Sequence, residues 1–470
     1  AAAGRREAAI GLYRRAAARD PGLAEAHNNL GNLLGSGEAA LAAYDAALAA
    51  RPDYAEAWAN RGIALKAMDR LESAEAALRR AVALRPGLAA AHNALGTTLT
   101  ARGRLEAALD SLAIAARLDP ADPFVAVNQG LVLARLHRAR EAIACQRRAV
   151  ALNPALADAH LGLAETLLLD GQYREGWREY EWRWRTAAGA RLRRAFTQPR
   201  WDRAAPPGGT VLLHAEQGLG DTLQFCRFAP LVARQARVVL EAPPPLRRLL
   251  GTLAGVAEVV EAGAKLPPFD RECPLLSLPH ALGLRLGGIP AGVPYLHPDP
   301  AAAAAGRARL AALPGRKVGL AWAGNAALAD IRANPIDRRR SLPLAALAGL
   351  GAVPGVSFVS LQKGRAGAEP PPPGLALHDW TAELDDFADT AALVAGLDLV
   401  VSVDTAVAHL AGALGRPVWL LNRFDSEWRW LLGRSDSPWY PTLRQFRQPS
   451  YGDWPGAIAA LATALRGLAA

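Results

Sequence analysis

Two short turns hold the residue types best suited to chemistry. The first is Glu216–Phe225, EQGLGDTLQF, which follows the apolar run Thr210–Glu216 and leads into a helix from about Asp221. Asp221 has two uses at a strand-to-helix turn: its carboxylate can cap the helix, or it can accept a proton from a bound group. Gly218-Leu219-Gly220 satisfies only the GxG part of a dinucleotide fingerprint, with Leu223 where the third glycine should stand. Glu241, at the end of the next strand, could serve as a ribose-binding acid, but the missing glycine argues against a dehydrogenase. The second turn lies in Leu399–Leu421, LVVSVDTAVAHLAGALGRPVWLL. Here a strand ends in Asp404-Thr405-Ala406 and a helix of small residues begins. The unpaired amides of Thr405, Ala406 and Val407, with the positive end of the helix dipole, would form an anion site, and Asp404 would fix the turn. His409, on that helix, could be a core histidine bonded to backbone or a ligand contact.

The supports of these turns are short apolar runs, which alternate with helical stretches from Thr210 onward. RVVLEA (Arg237–Ala242) and AEVVEA continue the first set. KVGLAWAG, VSFVSLQ, LDLVVSV and PVWLLN form a second set from Lys317, and a last helix is expected around Trp454–Leu468. Such alternation predicts parallel sheets covered on both faces, as two α/β domains in tandem. SLQKG places Gln362 and Lys363 at one strand's carboxyl end, and AWAGN places Trp322 and Asn325 at another's. Lys363 is one of only four lysines, which makes its strand-end position informative. Asp385 and Asp386 fit a helix start better than a metal-binding DxD, so no metal site is expected.

The first part of the chain repeats every 34 residues. Pro52, Pro86, Pro120 and Pro154 keep that step, as do Gly62, Gly96 and Gly130, with Ala164 in the next place. Ala40, Ala74, Ala108, Ala142 and then Gly176 form a third series. Small residues at two phases let paired helices approach closely, and the proline stops the second helix. The first repeat is shorter, because Gly31 to Ala40 is nine residues where Gly62 to Ala74 is twelve. Either its turn is shortened or its first helix ends early. Asn29, Asn60 and Asn128 share one phase, two before the glycine, while Ala94 and Gly162 interrupt the series. Their amides could hold a peptide backbone without reading its sequence, or could be ordinary polar residues on the first helix of each hairpin. The array ends in Gly176–Arg185, GWREYEWRWR, whose aromatics suggest a docking surface for the next domain.

Composition narrows the class. The 470-residue chain is half apolar and carries a formal charge of +10. Its arginines are scattered and not clustered with aromatics on one element, which disfavours nucleic-acid binding. Cys145, Cys226 and Cys273 are widely spaced and odd in number, so neither a disulfide framework nor a cysteine zinc site is expected. The longest uncharged stretch, Ser341–Gln362, is broken by prolines and glycines and does not read as a membrane span. With no signal-peptide pattern at its start, the protein is expected to be cytoplasmic. The chain opens without Met, so its natural start is expected upstream.

Segments such as AWANRGIALKAMDRLESAEAALRRAVALRP and AHNALGTTLTARGRLEAALDSLAIAARLDP resemble tetratricopeptide repeats. EQGLGDTLQF and VSVDTAVAHLAGALGRPVWLL resemble glycosyltransferase family 9, the heptosyltransferase-like enzymes of GT-B fold. The resemblance implies an α solenoid followed by a GT-B pair of Rossmann-like domains. It divides the chain into a repeat array at 1–186, a linker at 187–208, an acceptor-side domain at 209–298 and a nucleotide-sugar domain at 299–470. It implies Asp221 as general base and Gly218, Gly220, Trp322, Asn325, Gln362, Lys363, Asp404, Thr405, Ala406, Val407 and His409 around the donor. Lys363 would neutralise diphosphate charge without a metal. The donor would be a nucleotide-diphosphate sugar, used as substrate with no cofactor, and the acceptor a protein or peptide held by the repeats through Asn29, Asn60 and Asn128. The insertion Ala326–Asp337 departs from the family pattern, so no role is carried onto it. Two alternatives stand beside this: a non-catalytic repeat scaffold with a degenerate transferase domain, and a lipopolysaccharide-type transferase acting on a glycolipid.

Overall fold

The computed structural model describes residues 2–324 and 335–469. It divides into two compact units, Ala1–Thr166 and Leu167–Ala470.

The first unit is a stack of helical hairpins preceded by the helix Ala2–Arg19. The paired helices are Ala24–Leu34 with Glu38–Ala50, Ala55–Ala67 with Leu71–Leu84, Ala89–Ala101 with Leu105–Leu118, and Pro123–Arg135 with Ala139–Leu152. The small residues sit where the helices touch. A Cβ on Gly62 would lie 2.6 Å from Leu78 Cγ and 3.2 Å from the Ala74 carbonyl oxygen. Ala40, Ala74, Ala108 and Ala142 are buried on the opposing helices. In the first hairpin the inter-helix turn, residues 35–37, is as long as the equivalent turn at 68–70. The missing residues come from the helices, since Ala24–Leu34 has 11 residues where Ala55–Ala67 has 13.

The second unit contains two parallel sheets. The first holds β1 (Thr210–His214), β2 (Arg237–Ala242), β3 (Val256–Glu261) and β4 (Arg271–Pro274), in the order β3-β2-β1-β4. The second holds β5 (Arg316–Ala321), β6 (Val356–Ser360), β7 (Leu377–His378), β8 (Leu399–Val403), β9 (Val418–Asn422) and β10 (Leu443–Arg447), in the order β10-β9-β8-β5-β6-β7. Each sheet therefore reverses its winding once, between β1 and β4 and between β5 and β8. At such a switch point the strand-to-helix loops diverge and open a crevice at the carboxyl ends of the strands. The expected tandem α/β architecture after a repeat array is what the chain adopts, consistent with a GT-B fold.

Tyr173–Tyr180, the last helix in register with the repeats, belongs to this second unit. Trp177, 1% exposed, packs edge-on against Phe225 at 5.7 Å and Trp428 at 5.1 Å between ring centroids. The turn that follows is held by Arg183, which donates to Glu181 at 2.7 Å, Glu216 at 2.9 Å and Ser277 at 2.7 Å. Trp177 and Tyr180 of the aromatic segment are thus core, buried between side chains that follow β1 and β9, while Trp182 and Trp184 are half-buried. The final helix, Trp454–Ala469, packs its apolar face on the second sheet. No helix among the described residues is long and apolar enough to cross a membrane.

Candidate active site

The first turn leaves β1 and enters the helix Leu219–Phe225, with Gly218 at its N-cap. Asp221 is the third helical residue, and its Oδ2 accepts a hydrogen bond from the Gly218 amide at 2.9 Å, one half of a capping box, since Gly218 has no side chain to return the bond. Its Oδ1 is paired with Arg429 from beyond β9. Arg429 is itself buried and donates from Nε to Gln224 Oε1 at 2.7 Å. A third partner, Glu427, lies against its Nη1. Asp221 therefore caps its helix and carries an ion pair at once, with its side chain 19% exposed.

The second turn leaves β8. Asp404 is buried directly after the strand, and Thr405 is the N-cap of the helix Ala406–Ala413. No side chain caps this N-terminus. The Thr405 hydroxyl is instead engaged with Ser402 Oγ at 3.1 Å. Thr405, Ala406 and Val407 are partly exposed, although Asp404 and His409 on either side are buried. The start of this helix is thus uncapped and only partly covered, and an uncapped helix N-terminus attracts an anion.

Charge is concentrated around Asp404. Burial alone would raise its pKa, but Arg340, His409, Arg423 and Arg429 outweigh that and hold the carboxyl below its ordinary value. His409 moves the other way. Burial, reinforced by Arg429, Arg227 and Arg340, pushes it down to about 3 against the attraction of Asp404. Its ring is fixed by Tyr440, whose hydroxyl lies 2.9 Å from Nδ1, and stacks on Trp430 at 5.5 Å. It is a neutral core histidine at physiological pH, bonded to a side chain and not to backbone.

The two turns meet. A Cβ on Gly220 would lie 2.9 Å from His409 Cδ2 and 3.4 Å from Ala406 Cα. Gly220 is what allows the helix after β1 to approach the helix after β8 this closely.

The remaining candidates sit around this junction or apart from it. Trp322 is fully buried at the end of β5. Gln362 Oε1 accepts from the amides of Trp322 at 2.9 Å and Ala323 at 2.8 Å, tying the ends of β5 and β6 together. Lys363 donates to the Leu384 carbonyl and is not among the main charges acting on Asp404. Asn325 and most of the insertion at 326–337 lie outside the described residues. Asp386 caps the helix Phe387–Val394 and, with Asp389, pairs with Arg248 at 3.1 and 3.2 Å. Glu241 is buried and paired with Arg194. In the repeats, Asn60 Nδ2 donates to Asn28 at 2.9 Å and Asn128 Nδ2 to Asn93 at 2.8 Å, while Asn29 reaches the Tyr13 hydroxyl at 3.4 Å. Asn28 and Asn93 escape a search at one repeat phase because they stand one residue earlier in their own repeats. Arg429 and Arg423 are likewise invisible to motif reasoning: Arg429 meets Asp221 from 208 residues away in the chain. Among the described residues no three His, Cys, Asp or Glu side chains cluster as a metal site.

A repeat stack followed by two parallel sheets is consistent with a repeat-bearing protein of GT-B fold. Residues 34–88 and 60–123 match tetratricopeptide repeats, and residues 384–430 match glycosyltransferase family 9 (heptosyltransferase). The chain carries tetratricopeptide repeats and a glycosyltransferase family 9 domain. It is 30% identical over 341 residues to Protein FlbA of Caulobacter vibrioides, an alignment that takes in 67% of this chain and 56% of that protein. The chain thus spans little more than half the length of this curated relative. Solved structures similar to it include TTC0263, a tetratricopeptide-repeat protein of Thermus thermophilus, at 25% identity, 35% of this chain, 92% of that one and a TM-score of 0.32. YrrB, titled a tetratricopeptide-repeat protein with an unusual peptide-binding site, matches at 23% identity, 37% of this chain, 91% of that one and a TM-score of 0.31.

Proposed function

We propose that this protein transfers a sugar from a nucleotide-sugar to an acceptor, a protein held by the repeats. The observation that carries the proposal is the contact of the Asp221 turn with the uncapped start of the helix Ala406–Ala413, each at the switch point of its own sheet. Placed there, the amides of Thr405, Ala406 and Val407 receive the donor's diphosphate and stabilise it as it leaves. Asp221 takes the proton of the acceptor hydroxyl. Gly218 lets the backbone come close to the ligand, Gly220 lets the two turns meet, and His409 holds the helix start in place. Gln362 and Lys363 border the donor from the end of β6, with the buried Trp322 behind them at the end of β5, without a metal. Residues 1–186 would present the acceptor, 187–208 link, 209–298 form its side of the cleft and 299–470 bind the donor, in a cytoplasmic enzyme. Asn29, Asn60 and Asn128 offer a peptide their amide oxygens and a second N–H, one N–H of each being engaged within the array.

A second reading rests on Asp221 itself. Both its oxygens are engaged by the protein's own donors, as they would be in a domain kept for binding and assembly alone. The two are separated by incubating the protein with a panel of nucleotide-sugars and protein or saccharide acceptors, and following release of nucleoside diphosphate. A transferase gives release that Asp221→Ala lowers by about 10²–10⁴-fold, the contribution of a positioned general base. Absence of release and of nucleotide binding across the panel would leave the scaffold. Turnover with saccharides and none with proteins would identify a glycolipid-type acceptor.

A further inference from the structure

Arg423 is the first residue after β9, on the strand that neighbours β8 in the sheet. The register pairs Val403 with Leu421, so Arg423 stands at the same carboxyl edge from which Asp404 and the helix Ala406–Ala413 start. It is 5% exposed, yet Nε and Nη1 have no hydrogen-bond partner among the described residues. Its neighbouring carboxylate, Asp425 Oδ1, lies 3.9 Å from Nε, beyond hydrogen-bond length, and Asp425 Oδ2 is shared with Arg339 at 3.3 Å. A buried guanidinium with unmade hydrogen bonds is costly. Such a group is kept where something else completes it.

The surrounding chain fixes Arg423 in place. Asn422 donates to Ser426 Oγ at 2.8 Å and to Gln445 Oε1 at 2.9 Å, and the Phe424 amide donates to Gln448 Oε1 at 2.9 Å. The residues before and after Arg423 are therefore tied down while its own Nε and Nη1 have no partner. Its charge acts on Asp404, one residue from the N-cap of the uncapped helix. The guanidinium and the uncapped helix start thus stand at one carboxyl edge of the sheet, with Asp404 within reach of the Arg423 charge. Planar, bidentate donation of this kind suits phosphate oxygens.

We propose that Arg423 binds the diphosphate of the donor, opposite the amides at the start of the helix Ala406–Ala413. This rests on the nucleotide-sugar reading above and adds the guanidinium that would discriminate a diphosphate from an uncharged ligand. Lys363, donating to the Leu384 carbonyl, is not required for that charge.

The test is calorimetric titration of the full chain with inorganic pyrophosphate and with UDP, GDP, ADP and CDP, for wild type, Arg423→Met and Arg423→Lys, with a thermal melt of each without ligand. Wild type is expected to bind pyrophosphate and at least one nucleoside diphosphate. Arg423→Met should weaken both by about tenfold or more, the worth of a hydrogen bond to a charged group, with Arg423→Lys between the two. Unliganded Arg423→Met should melt within a few degrees of wild type, because the bonds of Nε and Nη1 are unmade and Asp404 and Asp425 keep Arg340, Arg429 and Arg339. Equal binding by wild type and Arg423→Met would overturn the proposal. A large drop in its unliganded melting temperature would also do so, by making Arg423 structural. Arg423-dependent pyrophosphate binding without any nucleoside diphosphate would support the anion site and overturn the nucleotide-sugar reading. Nucleoside diphosphate binding indifferent to Arg423 would do the reverse, and binding of neither ligand by wild type would overturn both.

Discussion

His409 and Asp404 divide the labour of one buried pocket: the carboxylate is held charged by arginines and the imidazole is held neutral by burial. That has a consequence for acid stability. The folded value of His409, about 3, lies below the ordinary 6.5. Between those two values the unfolded chain binds a proton that the native protein refuses. Stability contributed by the neutral ring is therefore complete above 6.5 and declines as pH falls, by up to roughly 1.4 kcal/mol per pH unit. Replacing the ring by an amide that can still reach Tyr440 removes this dependence. Melting temperature measured from pH 6.5 to 4.5 is expected to fall less steeply for His409→Gln than for wild type, and parallel curves would contradict the assignment. At this scale the sequence was only half readable. Asp404, Thr405 and His409 could be placed on a strand, a turn and a helix because strand–DTA–helix is a local pattern. Arg423 and Arg429 could not be linked to them, because their meeting depends on how β9 and the Leu219–Phe225 helix come together, and no spacing encodes that.

Elements were far more legible, and the reason is periodic packing. A hairpin that must close over Leu78 needs a residue without a Cβ opposite it, and the same need recurs at Gly96 over Leu112 and Gly130 over Gln146. The 34-residue step of those glycines is thus a direct imprint of helix contact. Gly62→Ala puts a methyl 2.6 Å from Leu78 Cγ and 3.2 Å from the backbone oxygen of Ala74. Overpacking of this sort costs about 1–3 kcal/mol. Gly87→Ala, in an inter-repeat turn with nothing within 4 Å, is the control and should be near neutral. Urea unfolding of the two variants checks this; equal midpoints would show that the glycine series does not report close helix approach. The alternative left open for the first repeat is settled by the same logic. Its turn keeps three residues and its helices are shorter, because the turn geometry is less free to change than helix length. The role of GWREYEWRWR was legible only in outline. Aromatic content marked it as a contact, but burial of Trp177 between Phe225 and Trp428 requires partners 48 and 251 positions further along the chain.

At the scale of the molecule, two sheets with one winding reversal each place their chemistry-bearing turns on the carboxyl edges, and Gly220 lets those turns touch. Every strand of both sheets runs parallel, so the crevices opened by both reversals lie at the strands' carboxyl edges. A nucleoside diphosphate is expected to seat there, on the start of the helix Ala406–Ala413 and against the Asp221 turn. Amide hydrogen exchange of the full chain, with and without the nucleoside diphosphate that binds best, tests it most directly. Slowed exchange is expected in Ser402–Leu410 and in Gln217–Thr222, and the repeats at 34–123 should be unaffected. Binding that slows exchange elsewhere and leaves both turns unchanged would contradict the account.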